Sequence, residues 1–278
     1  MRASSKRARL GTLLIVVPVA GYVAAAGYLY TFQRGYVFAP GTLLETPAEK
    51  GLERVEIVTI ERGDGVTLTG WYAPAAEGQP TLLYFHGNAG SMSGRADRFR
   101  QVLDSGFGLL AFSYRGYPGS GGEPSEAALF EDALAAFDWL AARTDRIVIH
   151  GESLGTAVAT YAASRRPALA LVLEAPFTAA LDMAGATYPW LPVSLLMRDP
   201  FLSREHIRRV NEPILIVHGT ADEVIPVAHG RALAEIAGPR AELQIVPEAR
   251  HSDLWRRGLG PRVLQFLEES GAVPRPAG

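Results

Sequence analysis

Ser153 lies in the run Gly151-Glu152-Ser153-Leu154-Gly155, one hydroxyl with a glycine two places to either side. The branched apolar run RIVIH (146–150) precedes it, and the small-residue run TAVATYAASRR (156–166), helical in pattern, follows it. G-x-S-x-G is a weak signal by itself. Between a buried strand and a helix it describes a sharp turn that presents serine as a nucleophile. Such a turn is strained and crowded, so its neighbours must be small, and Gly151, Gly155, Ala157 and Ala159 meet that need. The plain alternative is a serine that only caps a helix.

A serine hydroxyl is a poor nucleophile until a base takes its proton and a third group orients that base. The chain has six histidines. His150 falls inside a strand-like run, His206 and His229 fall in helical stretches, and His218 ends a strand directly before Gly219. Only His251, in VPEARHSDLW, combines a loop position with the end of the last strand-like run. For the orienting acid, PILIVHGTADEVIP sets Asp222 just past another strand end, with Glu223 beside it as a substitute and Glu174 as a further candidate. The predicted order along the chain is nucleophile Ser153, acid Asp222, base His251. A tetrahedral oxyanion also needs two converging donors. The N–H of Leu154, next to the nucleophile, is one. The N–H of Asn88, in the loop His86-Gly87-Asn88-Ala89-Gly90, is the natural second.

These residues need a scaffold. Runs at 54–60 and 65–74, joined at Gly63-Asp64-Gly65, read as an antiparallel hairpin. Short apolar runs follow at 80–86, 108–114, 146–150, 170–175, 213–219 and 242–248, and read as buried strands. Helical patterns separate most of them. The clearest is SEAALFEDALAAFDWLAAR, with Leu129, Ala133, Ala136, Phe137 and Leu140 on one face and Ser125 as its N-cap. Strands alternating with helices predict an α/β fold with a mostly parallel sheet covered on both faces. In such sheets chemistry gathers in loops at the carboxyl ends of strands, which is where Asn88, Ser153, Asp222 and His251 fall.

The N-terminus has a different character. Residues 10–32, LGTLLIVVPVAGYVAAAGYLYTF, carry no charge. As a helix they span about 35 Å, enough for a hydrocarbon core of about 30 Å. Arg2, Lys6, Arg7 and Arg9 precede the segment, and Tyr28, Tyr30, Phe32 and Tyr36 gather at its far end. By the positive-inside rule and the aromatic belt, this reads as an uncleaved signal anchor, with the N-terminus cytoplasmic and the rest extracytoplasmic (periplasmic in a bacterium). Two rival readings are cleavage at Ala24-Ala25-Ala26, releasing a secreted protein, and a buried core helix. The predicted organisation is a cytoplasmic basic segment (1–9), a transmembrane anchor (10–32), a linker (33–52), an enzyme domain (53–270) and a frayed tail (271–278).

Composition narrows the field. The 278 residues are 48% hydrophobic, which suits one α/β domain with a large core plus the anchor. The formal net charge is −2, and beyond the extreme N-terminus no basic patch suggests nucleic acid. The absence of cysteine excludes disulfides, a thiol nucleophile and thiolate metal sites. No metal or cofactor is implied, and the oligomeric state is left open.

With these pieces in place the chain resembles the α/β-hydrolase superfamily over roughly residues 55–270. More narrowly, HGNAG (86–90), YRGYPGSGGEPS (114–125) and GESLGTAVA (151–159) resemble the BEM46-like, ABHD13/ABHD17-type group of serine hydrolases. That resemblance implies the same roles for Ser153, Asp222, His251, Asn88 and Leu154. Members of the group often carry an N-terminal membrane segment or lipid anchor, and some act as acyl-thioesterases. Ser113 stands where many relatives have Asp before Tyr-Arg-Gly, a position expected to be structural. Residues 177–210 are expected to form a small cap, in which Phe177, Tyr188, Trp190, Leu195 and Met197 either line an acyl pocket or simply pack. The expected activity is hydrolysis of carboxylic esters or thioesters of acyl or lipid-like substrates. Alternatives are a serine peptidase or amidase, and a non-catalytic binding module on the same fold.

Overall fold

The computed structural model describes residues 2–273, with side chains from Ile15 onward. The side chains of Arg2, Lys6, Arg7 and Arg9, and residues 274–278 of the expected tail, lie outside that range. Helix α1, Arg2–Val37, runs unbroken through the apolar segment and five residues past Phe32. Its stretch Ile15–Val37 has a mean hydropathy of 1.6 and is long and apolar enough to cross a membrane. Ile15, Val16, Val17, Val19 and Val23 are all exposed on the protein, which is not how a core helix of a water-soluble domain buries its apolar residues.

The body is built on an eight-stranded sheet: β1 (Glu56–Glu61), β2 (Thr67–Ala73), β3 (Thr81–Phe85), β4 (Gly108–Phe112), β5 (Ile147–Glu152), β6 (Ala170–Glu174), β7 (Ile214–Gly219) and β8 (Ala241–Val246). The spatial order is β8-β7-β6-β5-β3-β4-β2-β1. β1 and β2 form the antiparallel hairpin, β2 pairs antiparallel with β4, and every other pairing is parallel. β3, β4 and β6 are buried at every position, because both faces of the sheet are covered and no residue can point to water.

Each face has its own core. Leu83 and Phe85 of β3 join Phe112, Leu129 and Phe137 on the face covered by α3 (Glu126–Ala141), α4 (Leu154–Ala163) and α8 (Ala228–Ala237). Leu82 and Tyr84, one residue out of step, join Phe99, Val102, Val263 and Phe266 under α2 (Ala96–Asp104) and α9 (Leu259–Glu269). This is the period-two alternation of a strand sandwiched between helices. Ser125 caps α3 by accepting from the Ala128 N–H at 3.3 Å. Of the expected tail only residues 271–273 are described. Ala272 and Val273 are buried, and the Val273 N–H donates to the Leu267 carbonyl at 3.0 Å.

Between β6 and β7 the chain makes three short α-helices, α5 (Ala180–Thr187), α6 (Val193–Leu196) and α7 (Ser203–His206), and one 3-10 turn (Ile207–Arg209). This small cap leans on the end of α1. Arg34 forks onto Asp199 (Nε–Oδ2 2.8 Å, Nη2–Oδ1 3.3 Å), and Gln33 donates to the Leu196 carbonyl at 3.1 Å and accepts from the Arg198 N–H at 2.7 Å. Beyond α1, Ala39 and Pro40 pair in parallel with Ala89 and Gly90, in the loop after β3.

Candidate active site

Ser153 sits between the end of β5 and the start of α4 with φ 51° and ψ −117°, a conformation that a side-chain-bearing residue holds only when its surroundings force it. The surroundings here are the two glycines. A β-carbon on Gly155 would lie 2.0 Å from the Phe85 carbonyl oxygen, and one on Gly151 would lie 2.4 Å from the Gly155 oxygen. Strand β5, helix α4 and strand β3 therefore meet at closest backbone approach, and the turn between them lifts Ser153 toward the carboxyl edge of the sheet. Its side chain makes no capping bond to α4.

The loop after β8 brings His251 to the same edge, with Nε2 2.9 Å from Ser153 Oγ. Its Nδ1 lies 2.8 Å from Asp222 Oδ2, in the loop after β7. Residues 98 and 29 positions apart thus form one continuous hydrogen-bonded line. Asp222 is held rigidly: Oδ1 accepts the N–H groups of Val224 at 2.9 Å and Ile225 at 2.8 Å. Burial resists ionisation of this carboxyl, but donors from His218, His251 and Ile225 outweigh it and hold its pKa well below the ordinary aspartate range. His218 was not singled out as a partner of Asp222, yet its Nε2 lies 3.3 Å from Oδ2 and 2.8 Å from the Ile225 carbonyl. The other acid candidates lie elsewhere. Glu223 is exposed, and Glu174 is buried against Arg98 at 2.6 Å.

The N–H groups of Asn88 and Leu154 donate to no protein acceptor among the described residues. Leu154 begins α4, so its N–H is one of the orphan donors of a helix N-terminus, where anions are favoured. The loop bearing Asn88 passes close by: a β-carbon on Gly87 would stand 3.5 Å from that of Ser153. Asn88 is tied on three sides. Its carbonyl accepts from the Tyr117 hydroxyl at 2.7 Å and the Ala39 N–H at 3.2 Å, and its side chain donates to the Val37 carbonyl at 3.3 Å. His86 before it is kept neutral, burial and the nearby Arg95 charge lowering its pKa to about 3.

Sequence reasoning missed the charges beneath this loop. Arg95 pairs with Glu152, the residue before Ser153, through Nε at 2.9 Å and Nη2 at 3.2 Å. Its remaining nitrogen donates to the Ala89 and Ser91 carbonyls at 2.9 and 3.1 Å. Arg98 lies 3.5 Å from the same Glu152, and the Tyr84 hydroxyl donates to it at 2.7 Å. Burial opposes ionisation of Glu152, but Arg98 and Arg95 outweigh it and hold the carboxyl charged far below its usual range. No spacing rule marks Arg95. The only signal was a glutamate at a position that is about to be buried.

The five cap residues do not share one pocket. Phe177 is buried in the main core, Tyr188 and Met197 line a groove against α1, Trp190 packs edge-on against Tyr22 at 5.9 Å, and Leu195 is 82% exposed. Ser113 is buried and donates to the Pro118 carbonyl at 2.7 Å, bracing the following turn. Among the described residues no group of three or more His, Asp or Glu side chains is disposed to hold a metal ion. The arrangement can move a proton from a hydroxyl to an imidazole and can stabilise an oxyanion beside it.

The comparisons with known proteins agree on the family. A family model for the alpha/beta hydrolase fold matches residues 80–195. The alpha/beta hydrolase domain-containing protein WAV2 of Arabidopsis thaliana is 33% identical over 89% of this chain and 91% of its own length. The lysophosphatidylserine lipase ABHD12 of Rattus norvegicus is 34% identical over 72% of this chain, which spans 59% of that lipase. Among solved structures, the Pyrococcus furiosus esterase Pf2001 superimposes with a TM-score of 0.70 at 23% identity, covering 84% of this chain and 97% of the esterase, a likeness of fold. A buried parallel sheet with a serine at a strained strand-to-helix turn, together with near full-length similarity to WAV2, makes this chain a member of the alpha/beta hydrolase family.

Proposed function

We propose that the protein is a membrane-anchored serine hydrolase that cleaves carboxylic ester or thioester bonds of acyl, lipid-like substrates through Ser153, His251 and Asp222. The observation that carries this reading is the line Ser153 Oγ, His251 Nε2, His251 Nδ1, Asp222 Oδ2, with contacts of 2.9 and 2.8 Å. His251 Nε2 takes the hydroxyl proton as Ser153 Oγ attacks the substrate carbonyl. Asp222 accepts a hydrogen bond from Nδ1–H, remains a carboxylate, and stabilises the imidazolium that forms. The carbonyl oxygen becomes an oxyanion and is met by the free N–H groups of Asn88 and Leu154. Collapse expels the alcohol or thiol, which carries away the proton from His251, and leaves an acyl group on Ser153. Water, deprotonated by the same imidazole, attacks that acyl group and releases the acid with Ser153 restored.

Similarity to a lysophosphatidylserine lipase supports an ester of a lipid as the substrate class. The apolar length of α1 supports an anchor at 10–32, with the basic residues before it cytoplasmic and the hydrolase domain, 53–270, on the other side. The test is Ser153→Ala in the full chain. Turnover of short p-nitrophenyl esters is expected to fall by about 10⁴-fold or more while the melting temperature is kept. A variant as active as the parent would overturn the assignment. Labelling by a fluorophosphonate separates this reading from a non-catalytic module, and a panel of esters against aminoacyl amides separates it from an amidase.

A further inference from the structure

The cap and the anchor helix enclose an apolar groove between them. Ala26, Leu29 and Val37 of α1 form one wall, and Leu191, Leu196 and Met197 of the cap form the other. The amide side chain in its lining, Gln33, is spent. It donates to the Tyr30 and Leu196 carbonyls at 2.9 and 3.1 Å and accepts from the Arg198 N–H at 2.7 Å, stitching one wall to the other. The Arg34–Asp199 pair locks the same end of the helix to the cap. The rest of its lining is aliphatic side chains and the tyrosines Tyr30, Tyr36 and Tyr188.

The two ends of the groove open onto different things. At the inner end stands Val37, whose carbonyl accepts the Asn88 side-chain amide at 3.3 Å, so the groove stops one residue from the loop beside Ser153. At the outer end the cap continues along α1 to Tyr22, where Trp190 packs edge-on and its carbonyl accepts the Tyr22 hydroxyl at 3.4 Å. Tyr22 to Phe32 is about 15 Å of helix, half of a hydrocarbon core of about 30 Å. With α1 as the anchor, the cap edge that carries Trp190 and the exposed Leu195 therefore reaches into one leaflet, and the mouth of the groove opens among acyl chains rather than water.

We propose that this groove is a binding site for one long acyl chain, entered sideways from the leaflet and running along α1 toward the loop that carries Asn88. The inference rests on the anchored-hydrolase reading above and adds where the chain of a lipid ester lies. The anchor is then one wall of the substrate site as well as a tether, and the preferred substrate is an ester whose acyl chain stays in the membrane while its carbonyl reaches Ser153.

The test uses the full chain in phospholipid nanodiscs. Ala184→Trp on the cap wall and Ala26→Trp on the helix wall each place an indole in the groove. The readout is kcat/KM for p-nitrophenyl palmitate divided by that for p-nitrophenyl butyrate. Both variants are expected to lower this ratio by about tenfold or more. Ratios within about twofold of the parent in both variants would overturn the proposal. A second measurement needs no turnover. Ser153→Ala protein is photolabelled with a diazirine-bearing palmitate, and the labelled peptides are mapped. Label on residues 184–197 that disappears when Ala184→Trp is added supports the groove. Label that is indifferent to the added indole overturns it. A parent protein that hydrolyses neither ester brings down the hydrolase reading, while the photolabel still decides the groove.

Discussion

Arg95 and Glu152 face each other beneath Ser153, joined through Nε–Oε2 at 2.9 Å and Nη2–Oε1 at 3.2 Å. The third nitrogen of the same guanidinium holds the Ala89 and Ser91 carbonyls. One planar cation therefore fixes the distance between the residue before Ser153 and the loop that bears the Asn88 N–H. Oxyanion stabilisation depends on donors already in place when charge develops, so this spacing matters to rate more than to ground-state binding.

Arg95→Ala is expected to lower kcat for a short ester by about 10- to 100-fold with a much smaller change in KM. Arg95→Lys should restore little of it, since a single ammonium cannot reproduce the fork onto Glu152 and reach two carbonyls as well. Steady-state kinetics on both variants would check this. An equal loss in the two parameters would point to a general loss of fold, and full rescue by lysine would show that a single charge suffices without the fork.

Acid stability should follow from the same cluster and from Asp222. Both carboxyls have folded pKa values depressed below their unfolded values, which are about 4.3 for glutamate and about 3.9 for aspartate. Below those unfolded values the unfolded chain binds more protons than the native one, so stability falls as pH falls. The contribution is present in full only above the unfolded values, from about pH 5 upward, and is lost as the pH drops through the folded values. Urea midpoints measured from pH 7 downward should change little on account of these two groups until about pH 5, then fall progressively. Glu152→Gln should flatten that fall.

Gly155→Ala should be among the most damaging single-methyl changes in the chain. The added carbon would have to sit 2.0 Å from the Phe85 carbonyl oxygen, against backbone that cannot yield without parting α4 from β3. A loss of about 3 kcal/mol or more, or failure to accumulate folded protein, is expected by thermal or urea unfolding. Ala159→Gly, in the middle of the same helix, should cost only about 1 kcal/mol plus its lost packing.

The proposed topology can be read chemically because the chain has no cysteine. A single Glu77→Cys, at an exposed turn, should react in intact cells with a membrane-impermeant maleimide if the hydrolase domain lies outside the cytoplasm. Labelling only after the membrane is broken would place the domain inside.

The strands were legible because a sheet covered on both faces must be written in apolar residues, as LLYF, LLAF and ALVL are. The line from Ser153 to Asp222 was legible for a related reason: each member directly follows such a strand or the turn after it. What stayed hidden depends on pairs distant in sequence and unmarked by period. Arg95 meets Glu152 from 57 positions away, and Arg34 meets Asp199 from 165. Hydrophobicity ends the apolar segment at Phe32, yet α1 continues to Val37 because Gln33 and Arg34 find partners on the cap. Phe177, predicted from its place in the insert to line a pocket or to pack, belongs to the core because it comes before α5, where the chain is still leaving the sheet.

The small parallel bridge at Ala39 and Pro40 bears on how a soluble version of this protein should be cut. The Ala39 and Gly41 amides grip the carbonyls of Asn88 and Gly90, so the stretch between α1 and the sheet also serves as a strap across the loop beside Ser153. Trimming at the first residue of the sheet would keep every strand and the nucleophile yet release that strap. A fragment meant for crystallisation or assay is better begun at about Val37, with the greasy turns before it replaced and the strap retained.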